Sequence, residues 1–197
     1  MTKPYAEACD RNQGVIFSVI EPLLSRSKAV LEIGSGTGQH AIYFAKRLPH
    51  LIWYTSDLEE NHLGIKLWLE EAHLPNTRPP AILDVNQSIW PMLNIDAVFS
   101  ANTAHIMHWD AVEKFFQGVG DMLPSGGLFM LYGPFNYNGG YTSQSNERFD
   151  RWLKTEDPMS GIRNFEDLDE LADKSSMKLI NDYSMPANNR VLHWQKM

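Results

Sequence analysis

The sequence has one cysteine, few basic residues and no long apolar run. Cys9 is the only cysteine among the 197 residues, which excludes an intrachain disulfide and a cysteine-built zinc site and suits a reducing compartment. No stretch approaches the roughly 20 apolar residues that a membrane-spanning helix needs. The first residues also lack the apolar segment of a secretory signal, so we expect a cytoplasmic protein with no membrane partner.

Basic residues are outnumbered by acidic ones. The chain has 17 Lys and Arg against 24 Asp and Glu, which gives a formal net charge of −7. This charge repels phosphate backbones, so nucleic acid is not an expected partner. The content of 43% hydrophobic and 21% charged residues is that of a globular protein, and the length predicts a single domain over residues 1–197.

Strand-like and helix-like patterns alternate through the first two thirds of the chain. Residues 1–25 form an N-terminal cap, with an amphipathic helix at residues 10–25 that Asp10 is placed to cap. The following strands are predicted at residues 28–33, 51–56, 81–83, 95–100 and 128–132, and the helices between them near residues 41–48, 59–73 and 112–123. This alternation predicts a mainly parallel sheet with helices on both faces.

The last third differs in composition. Residues 136–146 are rich in Asn, Gly, Tyr and Ser without an apolar period, which predicts a long functional loop within a substrate cover at residues 134–165. The spacing of Phe149, Trp152 and Leu153 predicts a helix, and Asn164 is placed to cap another. Two strands flank a turn-rich spacer and predict an antiparallel hairpin, at residues 177–185 and 190–196.

The strongest motif joins the first strand to the next helix and reads Glu32-Ile33-Gly34-Ser35-Gly36-Thr37-Gly38. Glycine allows positive φ and lets a ligand lie against the main chain. A purely structural turn needs one glycine, whereas each further glycine costs folding entropy without packing anything. Three glycines at alternate positions therefore predict a ligand-binding turn.

Asp57 follows the second strand, about 20 residues after these glycines. At that spacing a carboxylate accepts hydrogen bonds from ribose hydroxyls, although Asp57 would also suit a cap on the helix that begins near Glu59. The dinucleotide fingerprint Gly-x-Gly-x-x-Gly is not met, because the third glycine comes one residue early. The motif thus disfavours a nicotinamide oxidoreductase.

The pattern Glu-x-Gly-x-Gly-x-Gly resembles the first motif of class I S-adenosylmethionine-dependent methyltransferases, and residues 32–38 match it completely. Four further segments extend the resemblance over nearly the whole chain to the domain-of-unknown-function 938 family, which includes methyltransferase-like 26. These segments are Arg11-Asn12, Gln39-His40, Asn102-Thr103-Ala104-His105-Ile106 and Tyr132-Gly133-Pro134-Phe135. The resemblance implies a Rossmann-like α/β fold with a mainly parallel seven-stranded sheet, an antiparallel C-terminal hairpin and S-adenosylmethionine as cofactor.

Candidate cofactor residues lie mostly at the carboxyl ends of the predicted strands, where open α/β sheets bind ligands. The resemblance implies that Asp57 holds the ribose, that Asp84 meets the adenine amino group and that Val85 lies beside the ring. Arg11 is a candidate partner of the cofactor carboxylate, and an exposed ion pair is its alternative role. The full candidate set is Arg11, Glu32, Gly34, Ser35, Gly36, Gly38, Asp57, Leu58, Asp84, Val85, Ser100 and Asn102.

Catalytic candidates follow the fourth strand. His105 is a candidate base and Asn102 a candidate for orienting the methyl acceptor, and the alternative for His105 is a half-buried packing role. A metal site at His105, His108 and Asp110 is not predicted, because no helical zinc motif is present. The candidate substrate residues are Tyr5, His108, Trp109, Tyr132, Phe135, Asn136 and Tyr137.

The sequence therefore predicts a methyltransferase that acts on a small molecule, because no recognition domain accompanies the catalytic one. Two alternatives stay open. One is a nicotinamide-dependent oxidoreductase, and the other is an interaction protein that binds S-adenosylmethionine without catalysing transfer. The sequence indicates no oligomeric state.

Overall fold

A computed structural model describes residues 3–197 of the chain. The helices are α1 (Glu7–Leu23), α2 (Gln39–Arg47), α3 (His62–Ala72), α4 (Trp109–Met122), α5 (Gln144–Glu156) and α6 (Phe165–Lys174). The strands are β1 (Ala29–Ile33), β2 (Ile52–Asp57), β3 (Thr77–Ile82), β4 (Ala97–Ala101), β5 (Leu128–Gly133), β6 (Phe135–Asn136), β7 (Arg163–Asn164), β8 (Met177–Met185) and β9 (Asn189–Lys196). Short 3-10 helices occur at Leu24–Arg26, Glu59–Asn61 and Pro186–Asn188.

Seven strands form one sheet in the order β3-β2-β1-β4-β5-β9-β8. Strand β1 is parallel to both β2 and β4, and β2 is parallel to β3. Strand β9 is antiparallel to both β5 and β8. The mainly parallel sheet and the C-terminal hairpin are therefore confirmed. The strand order reverses beside β1, which is the place where open α/β sheets bind ligands.

The chain divides into two compact units, the first ending at Ser100 and the second spanning Ala101–Met197. In the first unit all five residues of β1 are buried, so both faces of this strand are covered. Phe44 of α2 lies 5.5 Å from the rings of both Trp53 and Phe99, and all three side chains are fully buried. Aromatic burial of this kind supplies much of the apolar area that stabilises a core.

The N-terminal helix begins earlier than predicted. It starts at Glu7 rather than Asp10, and its N-cap residue Ala6 makes no side-chain capping bond. The carboxylate of Asp10 instead accepts hydrogen bonds from the Tyr5 hydroxyl and from Gln39 Nε2. The prediction of Asp10 as a cap was wrong because Asp10 lies in the first turn of the helix and not before it.

The third strand is longer than predicted. Strand β3 begins at Thr77 instead of Ala81 and contains Pro79 and Pro80. Proline lacks an N–H group and is confined to edge strands or bulges, and β3 is an edge of the sheet. A consecutive pair of prolines concealed this strand because the same residues are also typical of turns.

The second unit has its own aromatic core. Phe116 of α4 and Phe129 of β5 both contact Trp194 of β9, with ring centroids 5.5 and 5.4 Å apart. The indole Nε1 of Trp194 donates to Asp169 Oδ1 on α6 at 2.9 Å. These contacts attach α4, which precedes residues 134–165 in the chain, and α6, which follows them, to strand β9.

The cover segment is more ordered than its composition predicted. Phe135 and Asn136 form the short strand β6, which pairs in parallel with Arg163 and Asn164 of β7. Helix α5 begins at Gln144, where Ser143 Oγ accepts from the backbone N–H of Asn146 at 3.1 Å. The predicted irregular run at residues 136–146 is thus shortened at both ends, whereas the predicted helix around Phe149 is confirmed.

Helix α6 starts after Asn164, as the sequence predicted. The Asn164 side chain makes no capping bond, however, and its Nδ2 donates to Asp167 Oδ2 at 3.0 Å. None of the helices in residues 3–197 is both long enough and apolar enough to cross a membrane.

Candidate functional site

The glycine turn lies in the first unit, between β1 and α2. Gly34, Gly36 and Gly38 have φ values of 74°, 56° and 92°, so each occupies the conformation that side chains disfavour. The backbone N–H groups of Gly34 and Ser35 both donate to Ser56 O at 3.0 Å. The turn is therefore bound to the carboxyl end of the neighbouring strand β2.

Two of these glycines meet different surroundings. A Cβ added at Gly36 would have no neighbour within 4 Å, whereas one at Gly38 would lie 3.2 Å from Ile65 Cα and 3.4 Å from Trp68 Cβ. Gly38 thus allows α3 to pack closely against the turn. Gly36 instead presents its main chain to open space, which is the property that a ligand-binding glycine needs.

Asp57, the last residue of β2, holds the turn in place. Its Oδ2 accepts from the Gly36 N–H at 2.7 Å, and its Oδ1 accepts from the Leu58 N–H at 2.8 Å and from Asn61 Nδ2 at 2.7 Å. The carboxylate therefore supports both the glycine turn and the start of the 3-10 helix at Glu59–Asn61. Both sequence interpretations of Asp57, ligand residue and helix-start residue, are compatible with this position.

The segment after β3 is attached to the same aspartate. The Leu83 N–H donates to Asp57 O at 3.0 Å, which brings Asp84 and Val85 to the same edge of the first unit. Asp84 Oδ1 accepts from the Asn86 N–H at 2.9 Å, and Val85 is buried. Leu58 follows Asp57 and remains 42% exposed.

Glu32 is in β1, two residues before Gly34, and its side chain is almost inaccessible to solvent. Its side chain accepts from Ser35 Oγ at 3.0 Å and from Trp53 Nε1 at 3.2 Å. Burial raises the pKa of Glu32 to about 7, an effect that these two hydrogen bonds partly offset. Its proximity to the turn agrees with a supporting role for the motif, and the raised pKa makes its charge sensitive to pH near neutrality.

The N-terminal segment is also bound to the motif. Gln39 Oε1 accepts from the Ala6 N–H at 2.6 Å, and His40 Nε2 lies 2.7 Å from Asn12 Oδ1. The segments Arg11-Asn12 and Gln39-His40, which are 28 residues apart, therefore contact each other. Arg11 itself points to the surface, where it forms an ion pair with Glu7 at 2.9 Å.

Ser100 is fully buried near the end of β4. Its hydroxyl donates to Ile33 O at 2.7 Å, which joins the carboxyl ends of β1 and β4. This contact gives Ser100 a structural role in shaping the end of β1 just before the glycine turn.

In the second unit, Asn102 follows β4 directly and has a φ of 61°. Its N–H donates to Tyr132 O at 2.9 Å, so the end of β5 fixes its main chain. Asparagine tolerates this left-handed conformation better than most residues.

His105 is buried and packs edge-on against Phe149, with ring centroids 5.2 Å apart. Burial, with a smaller contribution from the charge of Arg163, lowers the pKa of His105 to about 4. The imidazole is therefore neutral at pH 7. A conjugate acid of such low pKa makes a weak general base, because efficient bases titrate near the working pH.

Arg163 fixes the main chain on both sides of His105, and it is not among the residues predicted from the sequence. Its Nε donates to Ala104 O at 3.1 Å, and its Nη2 donates to Met107 O and, at 3.1 Å, to Met159 O. Ala104 and Met107 lie more than 50 residues away in the chain. No local pattern marks such an arginine, so only the folded chain shows its role.

The predicted substrate residues occupy different environments. Tyr132 and Phe135 are buried at the end of β5 and in β6. Tyr137 donates to Asp182 Oδ2 at 2.7 Å and stacks on Phe165 at 5.3 Å, so it fastens the cover to β8 and α6. No sequence pattern indicated this structural role of Tyr137.

Three other predicted substrate residues lie nearer the surface. His108 Nε2 lies 2.7 Å from Asp157 Oδ2 in an exposed pair. Trp109 begins α4 and donates to Glu113 Oε1 at 3.0 Å. Tyr5 belongs to the first unit, is 60% exposed and donates to Asp10. In residues 3–197 no three His, Cys, Asp or Glu side chains converge in a group that could hold a metal.

Solved structures that align with this chain include several methyltransferases. The S-adenosylmethionine-dependent methyltransferase SibL aligns with a TM-score of 0.81 at 18% identity, over 95% of this chain and 55% of that chain. Human N-acetylserotonin methyltransferase, solved with S-adenosylmethionine, aligns at 0.77 and 13% identity, over 96% and 53%. An O-methyltransferase family 2 protein from Planctomyces limnophilus, solved with apigenin, aligns at 0.77 and 12% identity, over 86% and 51%.

The fold is that of the class I S-adenosylmethionine-dependent methyltransferases, and the chain spans about half the length of these solved proteins. The chain belongs to the family described as "Protein of unknown function (DUF938)", whose model matches residues 3–196. The family resemblance seen in the sequence is thereby confirmed.

Proposed function

We propose that this protein binds S-adenosylmethionine at the glycine turn and methylates a small molecule. The observation that carries the proposal is the bond of 2.7 Å between the Gly36 N–H and Asp57 Oδ2. It places a carboxylate of ribose-binding spacing directly beside a glycine whose main chain is open.

The residues of the first unit fit this cofactor. Asp57 Oδ1 accepts two hydrogen bonds and Oδ2 accepts one, and a carboxylate has about four acceptor sites. Oδ2 therefore retains capacity for one ribose hydroxyl, and displacement of Asn61 Nδ2 would free Oδ1 for the second. The open side of Gly36 supplies the space that a Cβ would fill.

Asp84 and Val85 complete the proposed nucleoside site. Their attachment to Asp57 through the Leu83 N–H supports the roles that the resemblance implies, with Asp84 meeting the adenine amino group and Val85 beside the ring. Arg11 would have to leave its exposed pair with Glu7 to reach a cofactor carboxylate. Exposed ion pairs contribute little stability, so that exchange would cost little.

When bound, S-adenosylmethionine supplies a methyl group that its sulfonium has already activated. The chain then has to hold an acceptor in line with that methyl group and exclude water. Correct alignment alone contributes roughly 7 to 11 kcal/mol in well-oriented reactions. A strong base is therefore unnecessary, which agrees with the low pKa of His105.

We assign the acceptor to the second unit. Asn102 follows β4 directly, and the end of β5 fixes its main chain through the hydrogen bond from the Asn102 N–H to Tyr132 O. Neutral His105 orients the acceptor by a hydrogen bond and acts as a weak base only for an acidic proton. Tyr132 and Phe135 provide the apolar wall, and the cover at residues 134–165 excludes water.

Small-molecule acceptors are favoured because the solved neighbours include a protein named for N-acetylserotonin and one solved with apigenin. The cytoplasmic location expected from the sequence stays a prediction. The oxidoreductase and the binding-only protein are the two alternatives that an experiment has to separate from the methyltransferase.

Calorimetric titration with S-adenosylmethionine, S-adenosylhomocysteine and NAD tests the cofactor. We expect both adenosyl ligands to bind and D57N to weaken them at least tenfold, because an amide cannot accept from all three donors that the carboxylate now serves. Glu59→Gln, an exposed change two residues away, is the matched control. Binding of NAD alone would refute the proposal.

Turnover distinguishes an enzyme from a binding protein. Mass spectrometry of a small-molecule panel incubated with S-adenosylmethionine should reveal a methylated product. H105F should then lower kcat while leaving S-adenosylhomocysteine affinity unchanged. Cofactor binding without any methylated product would favour the interaction protein.

A further inference from the structure

We propose that Asn136 Oδ1 accepts a hydrogen bond from an N–H or O–H group of the methyl acceptor and thereby selects acceptors that carry such a donor. This inference rests on the proposed function and deepens it, since it names a chemical property of the substrate. It assigns Asn136 a specificity-determining role and no role in proton transfer.

The carbonyl oxygen of the Asn136 side chain is buried without a partner. The residue is 9% exposed, and Oδ1 makes no hydrogen bond to any of residues 3–197. Buried polar side-chain atoms almost always have partners, and an exception requires an explanation. A ligand that supplies the missing donor explains why an asparagine stands here in place of an apolar residue.

Asn136 and His105 are attached to one short segment. Asn136 pairs with Asn164, and Phe135 pairs with Arg163. Within the same segment, the Gly161 N–H donates to His105 O at 2.9 Å. Residues 161–164 therefore hold the strand of Asn136 on one side and the main chain of His105 on the other.

The rings of His105 and Phe135 both lie beside Gly133. A Cβ added there would lie 3.8 Å from both His105 Nδ1 and Phe135 Cζ, so the two rings border the same glycine. Phe149 packs against His105 from the cover helix. These flat rings suit an aromatic acceptor, and Asn136 supplies the polar contact that orients it.

Another buried asparagine of the cover shows the contrast. Asn146 is 5% exposed, but its Nδ2 donates to Thr142 Oγ1 at 2.9 Å and to Asn188 O at 3.1 Å. Asn146 therefore stabilises the fold, whereas the oxygen of Asn136 does not. The two residues have the same chemistry and similar burial, which makes Asn146 a matched control.

An amide oxygen accepts a hydrogen bond but is too weak a base to take a proton. Asn136 therefore acts on acceptor choice. A site built to bond an O–H or N–H discriminates against the analogue that lacks it, because the buried oxygen then stays unpaired. One such bond corresponds to a preference of about tenfold.

The test compares N136L, N136D and N146L with the parent protein. Each is saturated with S-adenosylhomocysteine, and the probes phenol and aniline are titrated against anisole and N,N-dimethylaniline by ligand-observed NMR. The parent should prefer each donor-bearing probe about tenfold over its methylated counterpart. N136D, which keeps an acceptor oxygen, should retain this preference, and N136L should lose it.

Thermal unfolding separates this role from a structural one. N136L should leave Tm unchanged or raise it, because it removes an unpaired polar atom, whereas N146L should lower Tm because it removes satisfied bonds. The inference would be overturned if N136L kept the probe preference or had a lower Tm than the parent. It would also be overturned if the parent bound none of the probes. Failure of S-adenosylhomocysteine to bind would instead refute the proposed function, and the probe preference would still be measurable on the free protein.

Discussion

Alanine at Gly36 should mainly weaken ligand binding and alanine at Gly38 should mainly lower stability, although the two residues are alternate members of one turn. Both have positive φ, at 56° and 92°. Forcing an L-residue into the left-handed region costs about 1–2 kcal/mol. This cost applies to both variants, so the difference between them must come from what the new methyl group contacts.

The surroundings set the size of that difference. At Gly36 the methyl group enters open space, and G36A should destabilise the protein by only about 1–2 kcal/mol. At Gly38 it meets Ile65 Cα at 3.2 Å and Trp68 Cβ at 3.4 Å. Because Cα belongs to the main chain of α3 and cannot rotate away, overpacking adds about 1–3 kcal/mol.

Urea unfolding and calorimetry measure the two effects on the same samples. G38A should have the lower free energy of unfolding, by about 1–3 kcal/mol relative to G36A. G36A should have the weaker affinity for S-adenosylhomocysteine, since its methyl group fills the space proposed for the ligand. The reasoning is refuted if G36A is the less stable variant or if G36A binds as tightly as the parent protein.

Two further predictions concern stability. Burial raises the pKa of Glu32 from 4.5 to about 7, so the folded state binds this proton more tightly than the unfolded chain. The resulting stabilisation is complete below about pH 4.5 and is lost as the pH rises through 7. Glutamine does not titrate, so the free energy of unfolding of E32Q minus that of the parent should rise by about 2–3 kcal/mol from pH 5 to pH 8 in urea unfolding. An equal difference at both pH values would contradict the buried-acid assignment. Ser143 caps α5 through the Asn146 N–H, so S143A should lose about 0.5–2 kcal/mol by the same measurement; an unchanged value would show that the cap contributes nothing.

Elements with strong local signals were predicted well. The glycine turn was identified because the positive φ of three alternate residues requires glycine. The hairpin strands β8 and β9 were found close to their observed bounds. In each case neighbouring residues in the chain carry the physical constraint.

Elements that depend on distant partners were predicted only in part or not at all. Strand β3 is extended by pairing with β2, which overrides the turn preference of Pro79 and Pro80. Strand β6 exists only because Phe135 and Asn136 find a partner strand 28 residues later. Pairing of this kind leaves no local pattern, because the stabilising hydrogen bonds come from another part of the chain.

The sequence by itself determined the class of fold and the place of the glycine turn, because glycine conformation and hydrophobic periodicity are properties of short segments. Only the tertiary structure distinguished Gly36 from Gly38, since open space and the α3 backbone lie on different sides of the turn. It also decided the charge state of His105 and the unpaired oxygen of Asn136. Burial and hydrogen-bond satisfaction depend on which distant groups pack around a side chain, and that information exists only in the folded chain.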